Sequence, residues 1–202
     1  MSDEPRAYHH GDLRRALLQA ALAILDEEQN WEFTLREVAR RAGVSHAAPY
    51  KHFTDKRELL AAVAAIGFER LAEAMQRAAA DETDPLRQLS VMGQAYVAFA
   101  VARPAHFRLM FGPTLAGAQY KPLAELGEAA YGLLRQAIQR CADAGHLPAE
   151  DVPMRTLAAW AQMHGLAVLL IDGRIGPVAR GELSAEQVAA AVARSFAAGF
   201  DR

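Results

Sequence analysis

Apolar residues recur at intervals of three and four along nearly the whole chain, and that spacing constrains the fold more than any other feature of the sequence. In a helix it gathers side chains into one buried stripe, whereas in a strand it would scatter them over both faces. No stretch alternates as a half-buried strand does, and no internal repeat or low-complexity tract intervenes. The expected class is all-α. With 202 residues, 52% hydrophobic and 23% charged, the chain has the apolar material for a real core and no disordered signature. Its length suits one compact unit or a small domain joined to a larger one.

Cap and breaker residues divide this periodicity into elements. Leu13, Ala16, Leu17, Ala20, Ile24 and Leu25 form the stripe of a first helix. It starts near Asp12 and ends where Asn30 can take the left-handed cap conformation. Thr34-Leu35-Arg36-Glu37 reads as a capping box, so a short helix opens at Leu35 with Val38, Ala39 and Ala42 inward. Gly43 then supplies a sharp turn, Ser45 caps a third segment over 46–53, and Asp55 with Glu58 opens a fourth helix to about Ala80. Gly67 is expected to weaken or bend that helix. Asp84-Pro85 starts a fifth, stopped by Pro104, and further helices are expected over 105–111, 122–144, 152–171 and 184–200. Gly112-Pro113 and 173–181 read as loops.

Two short helices joined by a glycine turn, the second bearing exposed polar tips, form the arrangement that places a helix in the DNA major groove. The residues add much more than the outline. Phe33-Thr34-Leu35-Arg36-Glu37-Val38-Ala39, Ala42-Gly43-Val44-Ser45, then Tyr50-Lys51-His52-Phe53 and Lys56, closely resemble the TetR-family DNA-binding domain over about residues 9–60. The resemblance implies an N-terminal three-helix helix-turn-helix domain at 9–60, followed by a helical effector-binding and dimerisation domain at 61–202. It also implies a sequence-specific transcriptional regulator, a repressor released from an inverted-repeat operator by a small-molecule effector, with activation by ligand as the alternative.

The chemistry of the individual residues fits that reading. Thr34 stands at a helix N-terminus, where free amides suit a phosphate oxygen as well as a cap. Ser45, His46 and Ala47 head the second helix and should meet base edges or nearby phosphates, with His46 the main reader of sequence. Tyr50 and His52 correspond to backbone-clamping positions of the family, and Lys56 to its phosphate-binding lysine. Arg36 and Lys51 belong to a local basic excess, six Lys or Arg against three acids between Phe33 and Glu58. Phe53 is expected in the core. Two departures from the family pattern stand out: Pro49 occupies a place commonly held by leucine, so this helix must start late or loosely, and Asn30 replaces a common glycine. Arg6, His9 and His10 form either an arm toward DNA or a disordered lead.

A head of this size reads few base pairs, so a homodimer is expected, formed through the last two helices. The stretch 166–171 is apolar around its circumference, which suits cover by its own core on one side and a partner on the other; burial within one chain is the alternative. In the last helix Val188, Ala191, Val192, Ser195 and Phe196 can approach another helix. Trp160, His164 and Gly165, preceded by residues 107–112, resemble the C-terminal domain type named for its Trp-His-Gly motif. Met92, Tyr96, Phe99, Phe107, Met110, Phe111, Tyr131, Trp160, Met163 and His164 are the residues from which a ligand cavity, or equally a packed core, would be built. The helix beginning at Asp55 is the natural lever between ligand and DNA.

Other classes find little support in the residues. The net charge of −2 argues against a nonspecific coater of DNA. No G-x-S-x-G, phosphate loop, dinucleotide fingerprint or H-E-x-x-H occurs, so no catalytic residue is assigned and no enzyme is expected. Cys141 and His146 lie too far apart around a helix to pair, and Cys141 should be a small buried residue. His9, His10, His46 and His52 lack metal-ligand spacing, so no metal or other cofactor is expected. The N-terminus lacks the apolar run of an export signal, no stretch reaches the roughly 20 apolar residues of a membrane span, and a single cysteine leaves the cytoplasm as the expected compartment. A helical binding protein with a vestigial head is the rival from another class.

Overall fold

The computed structural model describes residues 10–115 and 120–200. Among them there are α-helices and short 3-10 turns and no strand. The helices are α1 (His10–Glu28), α2 (Leu35–Arg41), α3 (Lys56–Ala79), α4 (Pro85–Ala102), α5 (Pro104–Phe111), α6 (Lys121–Asp143), α7 (Val152–Ile171), α8 (Gly176–Ala179) and α9 (Ala185–Ala197). His10 opens α1, while Arg6 and His9 lie outside the described residues. The loop expected at 173–181 contains the single helical turn of α8 between two left-handed glycines, Gly173 and Gly181, and Pro113–Leu115 forms a 3-10 turn.

The starts of α2, α3, α4 and α9 follow from side chains that satisfy the orphan amides of a helix start. Asp55 accepts from the Glu58 amide at 2.8 Å, Asp84 from the Leu86 amide at 3.0 Å, and Ser184 forms a reciprocal box with Gln187 ahead of α9. The end of α1 departs from expectation. The left-handed residue is Gln29, at φ 55°, and Asn30 instead accepts from the Glu32 amide at 2.9 Å, a side-chain turn that steers the chain toward α2.

α3 carries buried residues along its length, from Leu59 through Met75, and packs against α1, α4, α5 and α6. A single apolar cluster accordingly runs from Leu17 in α1 to Phe200, through Phe53, Val63, Val97 and Ile138. The division expected at residue 60 falls inside α3.

α3 runs unbroken through Gly67, whose missing Cβ lets α5 approach. A Cβ added there would lie 2.4 Å from the Met110 Sδ and 2.7 Å from the His106 Nε2. At the same contact the His106 Nε2–H donates to the Val63 carbonyl at 2.7 Å, which fixes the tautomer because a carbonyl can only accept. Burial lowers the His106 pKa and the Val63 bond opposes that shift, so the ring sits neutral against α3. Arg108 of α5 pairs with Asp172 at the end of α7 at 2.5 Å, anchoring the other side of α5.

Candidate functional site

Two features have the form of a site, and α3 touches both. The first is the surface built by α2 and residues 43–56. The Thr34 amide donates to the Glu37 Oε2 at 2.6 Å, and the Glu37 amide donates back to the Thr34 Oγ1 at 3.2 Å, which completes the capping box. The Thr34 hydroxyl also donates to the Glu37 Oε2, at 2.9 Å, and the two bonds that Thr34 donates, the backbone one foremost, hold the Glu37 carboxyl below its ordinary pKa. Thr34 and Arg36 are exposed beside it, and Gly43, at φ 69°, turns the chain as its lack of a Cβ permits.

The segment after that turn is not the α-helix its spacing suggests. Residues 46–48 form turns and Pro49–Lys51 a single 3-10 turn. Pro49 has no amide with which to reach the Ser45 carbonyl four residues back, so the Ala48 amide takes that carbonyl at 2.9 Å in a tighter three-residue step. The expectation that Ser45 caps through its side chain is corrected accordingly: it contributes its carbonyl. The segment is still held firmly, since the His52 and Phe53 amides both donate to the Pro49 carbonyl at 2.9 Å. Ala48, Pro49 and Phe53 face the core, while Ser45, His46, Ala47, Tyr50 and Lys51 face solvent, Tyr50 with 57% of its surface exposed. His52 is half-buried, and the Lys56 Nζ lies 5.6 Å from the Phe33 ring centroid. Of the nine proposed DNA-contact residues, seven are thus exposed and two, His52 and Lys56, are half-buried.

The second feature is a cavity of about 460 Å³ enclosed by α3, α4, α6, α7 and α9 together with Phe111 at the end of α5. Of the ten residues named for a cavity, six lie on its wall: Met92, Tyr96, Phe111, Tyr131, Trp160 and Met163. Phe99, Phe107, Met110 and His164 do not. Phe99 turns toward Arg103 and His106, Phe107 is buried between Tyr96 and Phe111, and Met110 is spent on the close contact at Gly67. His164 stands one layer back, its Nδ1 2.8 Å from the Tyr96 hydroxyl, where it orients that phenol. Burial lowers the His164 pKa and raises that of Tyr96, so both are uncharged near neutrality.

Sequence reasoning missed the contribution of α3, which is Phe68, Leu71 and Met75, and those of Glu128 and Phe196. The spacing of Phe68, Leu71 and Met75 does put them on one face, but nothing in a single sequence says that this face looks onto a void. Cys141 is fully buried and its thiol is pushed up to about 11, as a small core residue.

One helix of the described chain, within Ala149–Ala179, is long and apolar enough by length and composition to cross a membrane. Its core is α7. Leu166 and Ala167 are buried against the rest of the chain, while Met154, Leu157, Val168 and Leu169 are exposed.

Residues 17–63 match the family described as bacterial regulatory proteins, tetR family. Residues 89–192, more than half of the chain, match the tetracyclin repressor-like C-terminal domain.

The chain belongs to the TetR family.

Residues 17–63, which hold most of the surface around residues 34–56, are the part of this TetR-family chain that matches the model of bacterial regulatory proteins. Among solved structures it is similar to a Rhodococcus sp. RHA1 protein of unknown function, 34% identical with a TM-score of 0.84, over 98% of this chain and all of that one. The TetR-family regulator PfmR of Thermus thermophilus shares its fold at 21% identity and a TM-score of 0.68, over 93% of this chain and all of that one. So does the fatty acid degradation regulator FadR of Bacillus halodurans, at 13% identity and 0.71, over 94% and 96% of the two chains. A curated relative is the nucleoid occlusion factor SlmA of Aliivibrio fischeri, 29% identical over 50% of this chain and 53% of its own. The chain spans about half the length of the curated relatives it matches.

Proposed function

We propose that this TetR-family regulator is a cytoplasmic homodimeric repressor that leaves an inverted-repeat operator when a small apolar effector fills its cavity. The observation that carries the reading is the double duty of α3. Its first residue, Lys56, adjoins the DNA surface, and its later turns supply Phe68, Leu71 and Met75 to the cavity wall. A ligand acts only through a difference in its affinity for two arrangements of the protein. An occupant pressing on α3 favours one tilt of that helix, and the tilt resets the spacing of the paired reading heads.

The roles on the DNA side divide by chemistry. His46, with Ser45 and Ala47, presents itself to base edges; Thr34, Arg36, Tyr50, Lys51, His52 and Lys56 hold phosphates and set register. The dimer face runs along α7, where Met154, Leu157, Ala161, Gly165 and Val168 fall on one side at helical spacing. Among the described residues, and leaving aside the backbone of its own helix, nothing stands within 4 Å of where a Gly165 Cβ would be, so a second helix can come close there. The α9 residues are more divided: Ala191 and Ser195 face outward, whereas Phe196 is committed to the cavity. Trp160 on the wall, His164 behind Tyr96 and Gly165 on the outer face support assignment to the Trp-His-Gly type of C-terminal unit, with the head at 9–60 and the effector unit at 61–202 joined through α3.

The test is an operator complex challenged with a panel of apolar small molecules, with Trp160 fluorescence reporting entry to the cavity. Loss of the complex on entry is the expected result. A cavity that fills while operator affinity stays unchanged rejects the effector role.

A further inference from the structure

The cavity wall carries one formal charge, and it is negative. Among the 18 described lining residues there is no Lys, Arg or His, and the one carboxylate is Glu128 of α6. Residues 116–119, which precede α6, are Ala-Gly-Ala-Gln and add no charge. Lys121 pairs with Glu125 at 3.3 Å, Arg108 pairs with Asp172 at 2.5 Å, and His164 is held toward its neutral form by burial.

This distribution discriminates among ligand classes. A carboxylate or phosphate entering the cavity would give up water and meet no counter-charge, with Glu128 as a like charge on the wall. A cation would find the opposite. Glu128 lies one helical turn before Tyr131, which places both on one side of α6, and Tyr131 meets Trp160 edge to face at 5.8 Å between centroids. A carboxylate beside aromatic rings is the environment in which an onium head gains from both ion pairing and ring quadrupoles. Glu128 is itself exposed, which leaves it open to an approaching ligand. The rest of the wall, from Leu71 and Met75 across to Met92, Leu134 and Met163, accepts only an apolar body.

We propose that the ligand is a lipophilic cation, with its apolar body in the cavity and its ammonium or other onium head between Glu128 and the Tyr131–Trp160 pair. The proposal rests on the cavity being the effector site, and it names the class of effector.

The test uses three probes with the same chain and different heads: decyltrimethylammonium, 1-decanol and decanoate. Binding is read from Trp160 fluorescence in a Trp31→Phe background, and operator release is read separately on the unmodified sequence. The ammonium probe is expected to bind about tenfold tighter than the alcohol, with decanoate weakest. Glu128→Gln should bring the ammonium constant to that of the alcohol measured on the same variant, and Glu128→Asp should keep the preference. A tightest alcohol or decanoate, an ammonium preference that survives Glu128→Gln, or no binding by any probe overturns the proposal. The two readings fail separately. If the ammonium fills the cavity in a Glu128-dependent way while the operator stays bound, the ligand class stands and the effector role falls; if decanoate releases the operator, the reverse holds.

Discussion

The reading head and the cavity differ in what fixes them. In the head, polar side chains act on their own stretch of backbone: Thr34 and Glu37 start α2, Gly43 turns the chain, and Asp55 with Glu58 starts α3. Around the cavity, the deciding facts are volumes brought together from distant parts of the chain, with Phe68 on α3, Met92 and Tyr96 on α4, Tyr131 on α6, and Trp160 and Met163 on α7. Local bonds can hold a surface rigid enough to read DNA, whereas a gap among packed helices can be filled or collapsed, and so can respond. α3 belongs to both regimes, and substitutions can separate them.

The largest effect is expected at the outer face of α7. Leu157→Glu places a charge in the middle of the proposed dimer face and should turn the dimer into monomers, lowering operator affinity by orders of magnitude while helicity is retained. Sedimentation with and without DNA checks this, and an unchanged dimer rejects the α7 interface.

Next in size is the α3–α5 contact. Gly67→Val forces side-chain atoms into Met110 and His106, and overpacking of this kind costs about 1–3 kcal/mol in a denaturant titration. Wild-type stability in that variant would mean α5 yields freely and does not brace the lever.

Within the head, His46→Ala should change base preference by about 1–3 kcal/mol at one position of each half-site. Lys56→Ala should instead weaken all sequences alike and lower the slope of log affinity against log salt by about one. A uniform loss at His46 would move that residue from reading sequence to holding phosphate.

The smallest effects concern the cap. Thr34→Ala should destabilise the head by about 1 kcal/mol. The folded pKa of Glu37 is depressed, so its contribution is present above the ordinary carboxyl pKa and is lost as pH falls through the lowered value. Glu37→Gln should therefore flatten the acid limb of the stability profile, and an unaltered limb would show that the box contributes nothing there.

The same contrast explains how much was legible in the sequence. Caps and prolines are local chemistry, so Thr34, Asp55, Asp84 and Ser184 place their helices to within a residue or two. Local reasoning failed where one residue overrode a periodic pattern. Pro49 removes the amide that would have made 46–53 an α-helix, and the left-handed turn after α1 falls on Gln29 ahead of Asn30. For the cavity, bulky apolar residues were identifiable but the void among them was not. Phe107 and Met110 have the same character as Phe111, and only the docking of α5 at Gly67 decides which of them faces the space. Glu128 was invisible for the opposite reason, since an exposed glutamate on a helix looks like any solvated charge.

The most direct measurement is selection of bound duplexes from a random pool by the full-length chain, with Leu157→Glu run in parallel. Enrichment of an inverted repeat, its half-sites about one helical turn apart, with the variant losing that repeat, is the predicted result. Enrichment of nothing, or of the same repeat with undiminished affinity by the variant, would contradict a pair of reading heads joined through the C-terminal helices.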